Sequence, residues 1–404
     1  MDFDDTPEDA AFRREANSWL AAHARPIAPG EVSTLRSFFD SDELFLKQGR
    51  EWQHTLHAGG WAGIMWPREF GGRGGTSMQQ LIFRQEESHF DVPSGLFAVA
   101  IGMAGPTIIA HGTADQKTRY LPAMLRGDDV WCQLFSEPGA GSDLASLTTR
   151  AELDGGEWVV NGQKVWNSGA HHAEYGILLA RTDPDQPKHR GITFFIVDMK
   201  TPGMDVRPLR QMTGGASFNE TFLTDVRIPA ANVLGGVNEG WRVAMTTLGH
   251  ERSMSGGASP FPQLVQLARN FGNVDDASIK ARLVDCYIRG RVLQFLGFRA
   301  QTALSKGLPP GPETSVMKLA FSQLGVRCAD LAVTIEGAAG LLYGDDAPAN
   351  GIWQQTFLSS PSLRIAAGTD EVQRNIIGER VLGLPGEPRV DKDVPFRQTM
   401  STRG

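Results

Sequence analysis

The stretch from 131 to 144 carries the residue types whose spacing is best suited to ligand chemistry. A short strand runs into a Pro-Gly-Ala-Gly turn, where glycines would let backbone N–H groups approach an anionic or carbonyl ligand closely. The hydroxyl groups of Ser136 and Ser142 add donors. An ordinary turn capped by Ser-Asp is the competing interpretation of the short glycine pattern alone. The stretch reads Trp131, Cys132, Gln133, Leu134, Phe135, Ser136, Glu137, Pro138, Gly139, Ala140, Gly141, Ser142, Asp143 and Leu144.

The elements that must position this stretch form three segments and a tail. Helical spacing dominates 1–125, where Thr6 is the predicted N-cap of the first helix. Short β-rich runs separated by turn residues dominate 126–237 and predict an antiparallel β-barrel or sandwich. Helical periodicity returns over 238–385, whereas 386–404 has no periodicity and predicts a loose tail. The sequence therefore predicts an α+β protein with a helical domain, a β domain and a second helical domain.

Composition excludes several classes of protein. The chain has 404 residues, a net charge of −7 and 41% hydrophobic residues, so it can build a core and is not a nucleic-acid binder by charge. Its three cysteines are too scattered for a disulfide framework or a zinc site, and we expect no metal. The first residues are acidic, where a secretory signal needs positive charge. No apolar run is long enough to span a membrane, so we expect a soluble, cytoplasmic protein.

Several strings along the chain resemble those of the acyl-CoA dehydrogenase family. The fourteen-residue stretch is similar to the family signature, and four further strings occur in the family's order and spacing. The resemblance implies a helical domain, a central β domain and a C-terminal four-helix bundle. It also implies FAD bound between the β domain and the second helical domain of a dimer or tetramer. The four strings span 111–122, 161–170, 218–235 and 368–377.

The same resemblance implies roles for individual residues. Those at the flavin would be Gln133, Phe135, Ser136, Trp166, Ser168, Gly368, Thr369 and Glu371. Gly141 and Ser142 would lie at the flavin and at the thioester or pantetheine arm. Trp166 taken alone would more often be an ordinary residue of the β-domain core, but within the 161–170 string the functional interpretation is favoured. Gly337 and Gly340 would contact the flavin of a partner subunit.

The catalytic base departs from the usual family pattern. Acyl-CoA dehydrogenation needs a carboxylate to remove the Cα proton, and most members place a Glu directly before the Gly-Thr of the last string. This chain has Ala367 there, and its backbone N–H would instead face the thioester. A minority of the family places the base in an L-x-x-E-R string early in the bundle, which matches Glu251 here. Arg252 would then face the CoA side. The alternative interpretation is that Glu251 and Arg252 are an ordinary solvated pair on a helix surface.

Two strings that normally reach a partner subunit's FAD are eroded. One is not recognisable, and the other has Thr334 and Ala338 where the family has Gln and Gly. This erosion resembles bacterial subfamilies that handle bulky acyl groups such as steroid side chains, some of which are α2β2 complexes. We therefore hypothesise that the chain is half of a heterotetramer. The small residues after Glu251 would either widen the acyl cavity or merely allow close helix packing, and both interpretations stay open.

The leading functional prediction is FAD-dependent α,β-dehydrogenation of an acyl-CoA, with electron-transfer flavoprotein as electron acceptor. A homo- or hetero-oligomer is expected. Two alternatives stay open: a catalytically silent structural subunit, which Ala367 favours and Glu251 opposes, and a flavin monooxygenase or oxidase on the same fold.

Overall fold

The structure is a computed structural model that describes residues 5–28, 43–254, 260–305, 311, 314–388 and 391–400, without the side chains of 252–254, 301, 304–305 and 400. The residues group into two compact units. The first comprises 1–36, 75–92 and 255–386, and the second comprises 37–74, 93–254 and 387–404. The predicted boundaries at 125, 237 and 385 therefore stay predictions, because compact packing does not follow chain order here.

Two of the helices begin at capping residues that can be identified in the sequence. The Thr6 side chain accepts a hydrogen bond from the N–H of Asp9, which confirms the predicted N-cap. Thr113 and Gln116 form a capping box at the start of α5. The helices are α1 (Pro7–His23), α2 (Glu43–Ala58), α3 (Ser77–Glu87), α4 (Gly105–His111), α5 (Ala114–Arg126), α6 (Gly240–Met254), α7 (Phe261–Asn270), α8 (Ala277–Ser305), α9 (Thr314–Glu336), α10 (Ile352–Ser359), α11 (Asp370–Ile376) and α12 (Phe396–Met400).

The β-rich segment forms one seven-stranded sheet with the order β3-β6-β4-β5-β9-β8, and β7 pairs with β6. Most pairs are antiparallel, as predicted, but β3 and β4 both pair with β6 in parallel. A two-stranded antiparallel pair, β1 with β2, lies in the first unit. The strands are β1 (Arg25–Pro26), β2 (Phe90–Asp91), β3 (Trp131–Leu134), β4 (Arg150–Asp154), β5 (Glu157–Val165), β6 (Tyr175–Arg181), β7 (Ile192–Asp198), β8 (Met204–Leu209) and β9 (Phe218–Pro229).

The second unit has a core centred on the sheet. Strands β6 and β7 are buried along almost their whole length, which explains why both read as continuous apolar runs. Phe194 and Phe195 are fully buried there, and Val243 and Ala244 of α6 join the same core. Helix α6 therefore packs against the sheet within the second unit.

The first unit is helical and has its own core. Helices α7, α8 and α9 pack together, and α10 and α11 pack on α9. Its buried centre includes Leu264, Leu331, Ile335 and Trp353. Helix α1 packs on α3 in the same unit.

The C-terminal residues differ from the loose tail that the sequence predicts. Residues 391–400 include α12 and belong to the second unit. Phe396 is buried, and the guanidinium carbon of Arg181 lies 3.8 Å from the centre of its ring. The sequence shows no periodicity here because single side chains hold the segment, not a continuous apolar face.

Candidate functional site

The turn after β3 has glycines that the fold itself does not require. The backbone groups of Glu137 and Ala140 close it with two hydrogen bonds of 3.0 and 3.1 Å. Gly139 and Gly141 are exposed, neither has a left-handed backbone, and a Cβ added at either would meet no atom within 4 Å. Ser142 is also exposed. The turn thus presents bare backbone outward, which suits close approach by a ligand.

A buried ion pair anchors the beginning of this turn. Lys164 Nζ lies 2.8 Å from Glu137 Oε1 and also donates to the carbonyl of Phe135 at 3.1 Å. The other Glu137 contacts are with the N–H and hydroxyl of Thr148 and the N–H of Thr149, at 2.7 to 2.8 Å. Burial alone would raise the pKa of Glu137, but the Lys164 charge and these hydrogen bonds lower it to about 2.

Gln133 lies in β3, and Phe135 directly follows the end of that strand. The Phe135 ring is buried edge-on against Phe194, with ring centres 5.6 Å apart. Gln133 is half-buried, and its carbonyl accepts a hydrogen bond from Asn167. The carbonyl of Ser136 accepts one from the N–H of Val165 at 2.9 Å. These bonds tie the end of β3 to the end of β5.

Trp166 is held in an unusual conformation with its ring exposed. Its φ is 63°, in the left-handed region that a bulky side chain rarely adopts, and 61% of the residue is exposed. The Trp166 ring meets Phe218 edge-on at 6.0 Å. Strained backbone positions of this kind cluster at active sites and ligand-binding sites.

The neighbouring Asn167 maintains that conformation. It is buried, and its Nδ2 donates to the carbonyl of Gln133 at 2.9 Å while its Oδ1 accepts from Thr221 at 3.0 Å. Its backbone exchanges two hydrogen bonds with Asn219, at 2.7 and 3.0 Å. Four fixed bonds on one residue offset the strain at Trp166.

Ser168 lies on the wall of a small cavity. The cavity has a volume of about 40 Å³, and its lining is mostly apolar, including Leu96, Val99 and Trp131. This space suits a few water molecules but not an aromatic ring system. The face of Trp166, and not this cavity, is therefore the better surface for a flat ligand.

Glu251 is half-buried in the last turn of α6, whose earlier turns are firmly held. The hydroxyls of Thr247 and Thr107 are fully buried and 3.0 Å apart, and Thr107 also donates to the carbonyl of Met103. Thr247 precedes Glu251 by four residues, which places the two on the same face of the helix. A second bond joins His111 to Thr246 at 2.8 Å. The side chain of Arg252 and the small residues that follow lie outside the described part of the chain.

The Ala367 segment in the first unit has a strained backbone. Ala367 and Gly368 have φ values of 53° and 86°, and their carbonyls accept hydrogen bonds from Gln373 Nε2 at 3.1 and 3.4 Å. Thr369 then caps α11, since its hydroxyl accepts from the N–H of Val372. The φ of 86° favours glycine at 368, and a Cβ there would also lie 2.6 Å from Gln373 Nε2.

The next two residues, Asp370 and Glu371, differ in burial. The Asp370 carboxylate is buried and accepts from Ser322 and Arg364, both at 2.7 Å. Burial raises its pKa, but these hydrogen bonds and the Arg364 charge lower it overall. Glu371 is exposed and pairs with Arg374 at 3.3 Å.

Gly337 and Gly340 are glycines that local structure explains. Gly337 has a φ of 57°, and a Cβ at Gly340 would lie 2.6 Å from the carbonyl oxygen of Val333. Thr334, which replaces the family Gln, hydrogen-bonds to Asp330 and Arg282 of its own unit. A partner's flavin is not needed to account for glycine at either position.

The predicted site residues thus fall into two groups. The second unit contains Gln133, Phe135, Ser136, Gly141, Ser142, Trp166, Ser168 and Glu251. The first unit contains Gly337, Gly340, Ala367, Gly368, Thr369 and Glu371. Sequence reasoning missed the supports Glu137, Lys164, Asn167 and Asn219, although all four lie inside the quoted strings. Their polar type beside apolar runs was the available signal.

Comparison with known proteins covers almost the whole chain. Its residues 6–128, 132–226 and 238–382 match the N-terminal, middle and C-terminal domain models of acyl-CoA dehydrogenase. The fold and the site thus define a three-domain flavoprotein oxidoreductase. The chain belongs to the acyl-CoA dehydrogenase family, which confirms the predicted FAD dependence and enzyme class.

Individual relatives show how close the match is. Acyl-CoA dehydrogenase IpdE1 of Mycobacterium tuberculosis is 37% identical over 94% of this chain and 98% of its own length. The Tcur3481-Tcur3483 steroid ACAD has a TM-score of 0.81 and 28% identity, covering 96% of this chain and 100% of its own. The ChsE4-ChsE5 complex from Mycobacterium tuberculosis has a TM-score of 0.79 and 31% identity, with 96% and 100% covered.

The described residues contain neither a candidate membrane-spanning helix nor a cluster of metal ligands. No helix there is long and apolar enough to cross a bilayer. Within the same residues, no group of three or more histidine, cysteine or acidic side chains is arranged to hold a metal ion.

Proposed function

We propose that this protein converts a saturated acyl-CoA thioester to the trans-2-enoyl-CoA, with Glu251 as the base. The Glu251 carboxylate takes the Cα proton, and the Cα–H electron pair forms the new double bond as hydride leaves Cβ. The chemistry that bound FAD supplies is acceptance of that hydride. The observation that carries the proposal is the clamped helix α6, which holds Glu251 one turn beyond the buried Thr107–Thr247 bond. Ala367 provides no carboxylate at the usual position.

The residues of the second unit fit a flavin. Trp166 offers an exposed aromatic face, and Asn167 keeps the strand end behind it rigid. Gly141 and Ser142 offer unshielded backbone and a hydroxyl donor. A flat ring on Trp166 and a polar chain along the turn would each remove exposed surface from water. These residues would hold FAD and the near end of the thioester.

The test uses Glu251→Gln in FAD-loaded protein under anaerobic conditions. We expect the variant to keep its FAD, because the amide matches the carboxylate in shape, and to lose bleaching by acyl-CoA at least 100-fold, as for removal of a general base. Glu152→Gln, at an exposed glutamate of β4, is the matched control and should bleach normally. Undiminished bleaching in Glu251→Gln overturns the assignment.

The same experiment separates the alternative functions. Ala367 favours a silent subunit. In that case the wild-type protein binds FAD, but none of the acyl-CoA thioesters bleaches it. An oxidase or monooxygenase would instead be reoxidised quickly by O2 after bleaching. Slow reoxidation by O2 and fast reoxidation by electron-transfer flavoprotein are the results we expect.

We propose a bulky acyl group, such as a steroid thioester, as substrate. The proposal is supported by likeness to the steroid ACAD, whose fold matches over nearly the whole chain. A panel of straight, branched and steroid thioesters would test it. The proposal would be contradicted if kcat/KM for straight-chain thioesters were at least tenfold higher than kcat/KM for the steroid thioesters.

We propose that the first unit associates with another acyl-CoA dehydrogenase chain through α8. Val284, Ile288, Val292 and Phe295 are 41 to 54% exposed and lie three or four residues apart, so they form one apolar stripe. The ChsE4-ChsE5 relative is itself a complex of two different chains. The molar mass and FAD content of the purified protein, measured alone and with a co-expressed relative, distinguish a homo-oligomer from a heterotetramer. A monomer in both preparations contradicts the proposal.

We also place the enzyme in the cytoplasm, because Cys132, Cys286 and Cys328 are all free, buried thiols. Cell fractionation would test this location. Recovery outside the cytoplasmic fraction would contradict it.

A further inference from the structure

The C-terminal segment 391–400 is bound to the loop that follows β6. The carbonyl of Gln186 accepts from the N–H of Phe396 at 2.9 Å, and Pro187 and Pro395 form an isolated β-bridge. Arg397 forms an ion pair with Asp185. The contacts join residues about 200 positions apart in the sequence, so they are tertiary and not local.

Lys188 of this loop connects three segments. Its ammonium group lies 2.8 Å from Asp391 of the C-terminal segment and 3.1 Å from Asp143, the residue directly after Gly141-Ser142. The Lys188 side chain is only 11% exposed, so its charge is largely withdrawn from water and is stabilised by the two carboxylates. Asp143 also accepts from the Ser146 hydroxyl at 2.5 Å.

Arg181, which is buried, also connects these three segments. Its Nη2 donates to the carbonyls of Ala145 and Leu147 at 2.6 and 3.3 Å, and its Nη1 donates to the carbonyl of Lys188 at 2.7 Å. The opposite side of the guanidinium stacks on Phe396. Two cations, one buried and one nearly so, therefore each touch the 143–147 stretch, the 181–188 loop and the C-terminal segment.

We propose that segment 391–400 is an intramolecular strap that positions the Gly139–Ser142 turn through Lys188 and Asp143, and thereby sets affinity for the acyl-CoA. Glu137 holds the turn at its beginning, and Asp143 holds it at its end. Of the five residues between them, Ala140 is buried and hydrogen-bonded to Glu137, whereas Pro138, Gly139, Gly141 and Ser142 are exposed. The placement of the exposed residues therefore depends on these two ends. Lys188 is a positioning residue in this scheme, and the effect on acyl-CoA rests on the function proposed above.

The experiment compares FAD-loaded Lys188→Met, Lys188→Arg and Asp391→Asn with Lys200→Met, at an exposed lysine after β7, as control. Hydrogen exchange of the 138–147 peptide is the first readout, and it needs no turnover. We expect faster exchange there in Lys188→Met and Asp391→Asn, with exchange of β7 unchanged. The control should behave as wild type.

Steady-state kinetics with an acyl-CoA are the second readout. We expect the KM to rise roughly threefold to tenfold with kcat unchanged, as for loss of a partly buried ion pair, and Lys188→Arg to restore most of it. Unchanged exchange in 138–147 overturns the strap, whatever the activity. Faster exchange with unchanged KM retains the strap but overturns its role in binding. Absence of turnover in every protein, wild type included, counts against the proposed function alone.

Discussion

Substitution of Lys164 by methionine tests whether the buried Glu137–Lys164 pair supports the site. Methionine keeps the length and apolar character of the lysine stem but removes the charge. Glu137 would then keep its three hydrogen bonds to Thr148 and Thr149 while its carboxylate stays buried without a cation. Removing one member of a buried ion pair typically destabilises a protein by about 3–5 kcal/mol.

The pKa of Glu137 supports the same magnitude. Its fall from an ordinary 4.5 to about 2 corresponds to about 3 kcal/mol of preferential stabilisation of the ionised form. Because the folded-state pKa is lower, this contribution is complete above pH 4.5 and is lost as the pH falls toward 2. Between pH 7 and pH 3.5 the loss amounts to about 1 kcal/mol.

Hydrogen exchange of β5 along a urea series measures the effect locally, which avoids assuming that both units unfold together. We expect Lys164→Met to lower the free energy of opening by about 3 kcal/mol at pH 7, and to reduce FAD content because the turn loses its anchor. The wild-type advantage over Glu137→Gln should shrink by about 1 kcal/mol at pH 3.5. Glu137→Gln combined with Lys164→Met should cost less than the sum of the single changes.

The control is Asp205→Asn, which breaks the ion pair between Asp205 and Arg207. Both of these side chains are more than half exposed. It should cost no more than about 1 kcal/mol. A Lys164→Met effect as small as the control's, or an advantage over Glu137→Gln that is independent of pH, would refute the reasoning about the buried pair.

Three further predictions concern the two units separately. Trp166→Ala should change stability by less than about 1 kcal/mol, because the ring is exposed, yet weaken FAD binding at least tenfold by equilibrium dialysis. Gly141→Ala should leave the melting temperature unchanged but raise the KM for acyl-CoA, whereas Gly340→Ala should lower the melting temperature, since its Cβ would collide with backbone. Thr247→Val should remove the bond to Thr107, cost about 1–2 kcal/mol in stability and lower kcat with FAD content unchanged; an unchanged kcat would contradict the clamp on α6.

Local patterns made much of the fold predictable. The N-cap at Thr6 and the apolar runs of β6 and β7 each depend on neighbours within a few residues, so the sequence displays them directly. The parallel pairing of β3 with β6 was not predictable in this way, because it depends on which strands lie side by side after a long connection. Helix α6 joined the β-domain core for the same reason.

The site divides along the same line. Residue types in the 131–144 and 161–170 strings were sufficient to predict a flavin-binding chain and, at position 367, the absence of the usual base. Their supports were not predictable. Asn167 gains its role from Gln133 and Thr221, and those partners lie 34 and 54 residues away.

The sequence by itself determined the family, the FAD dependence and the order of helical and β segments, because these are recorded in residue types at short, fixed spacing. Only the tertiary structure decided that Trp166 is exposed and strained, that Thr107 clamps α6, and that residues 391–400 are bound through Lys188. The physical reason is that burial and ion pairing depend on where distant segments meet. The same lysine would be a solvated surface charge if Asp143 and Asp391 were not brought to it.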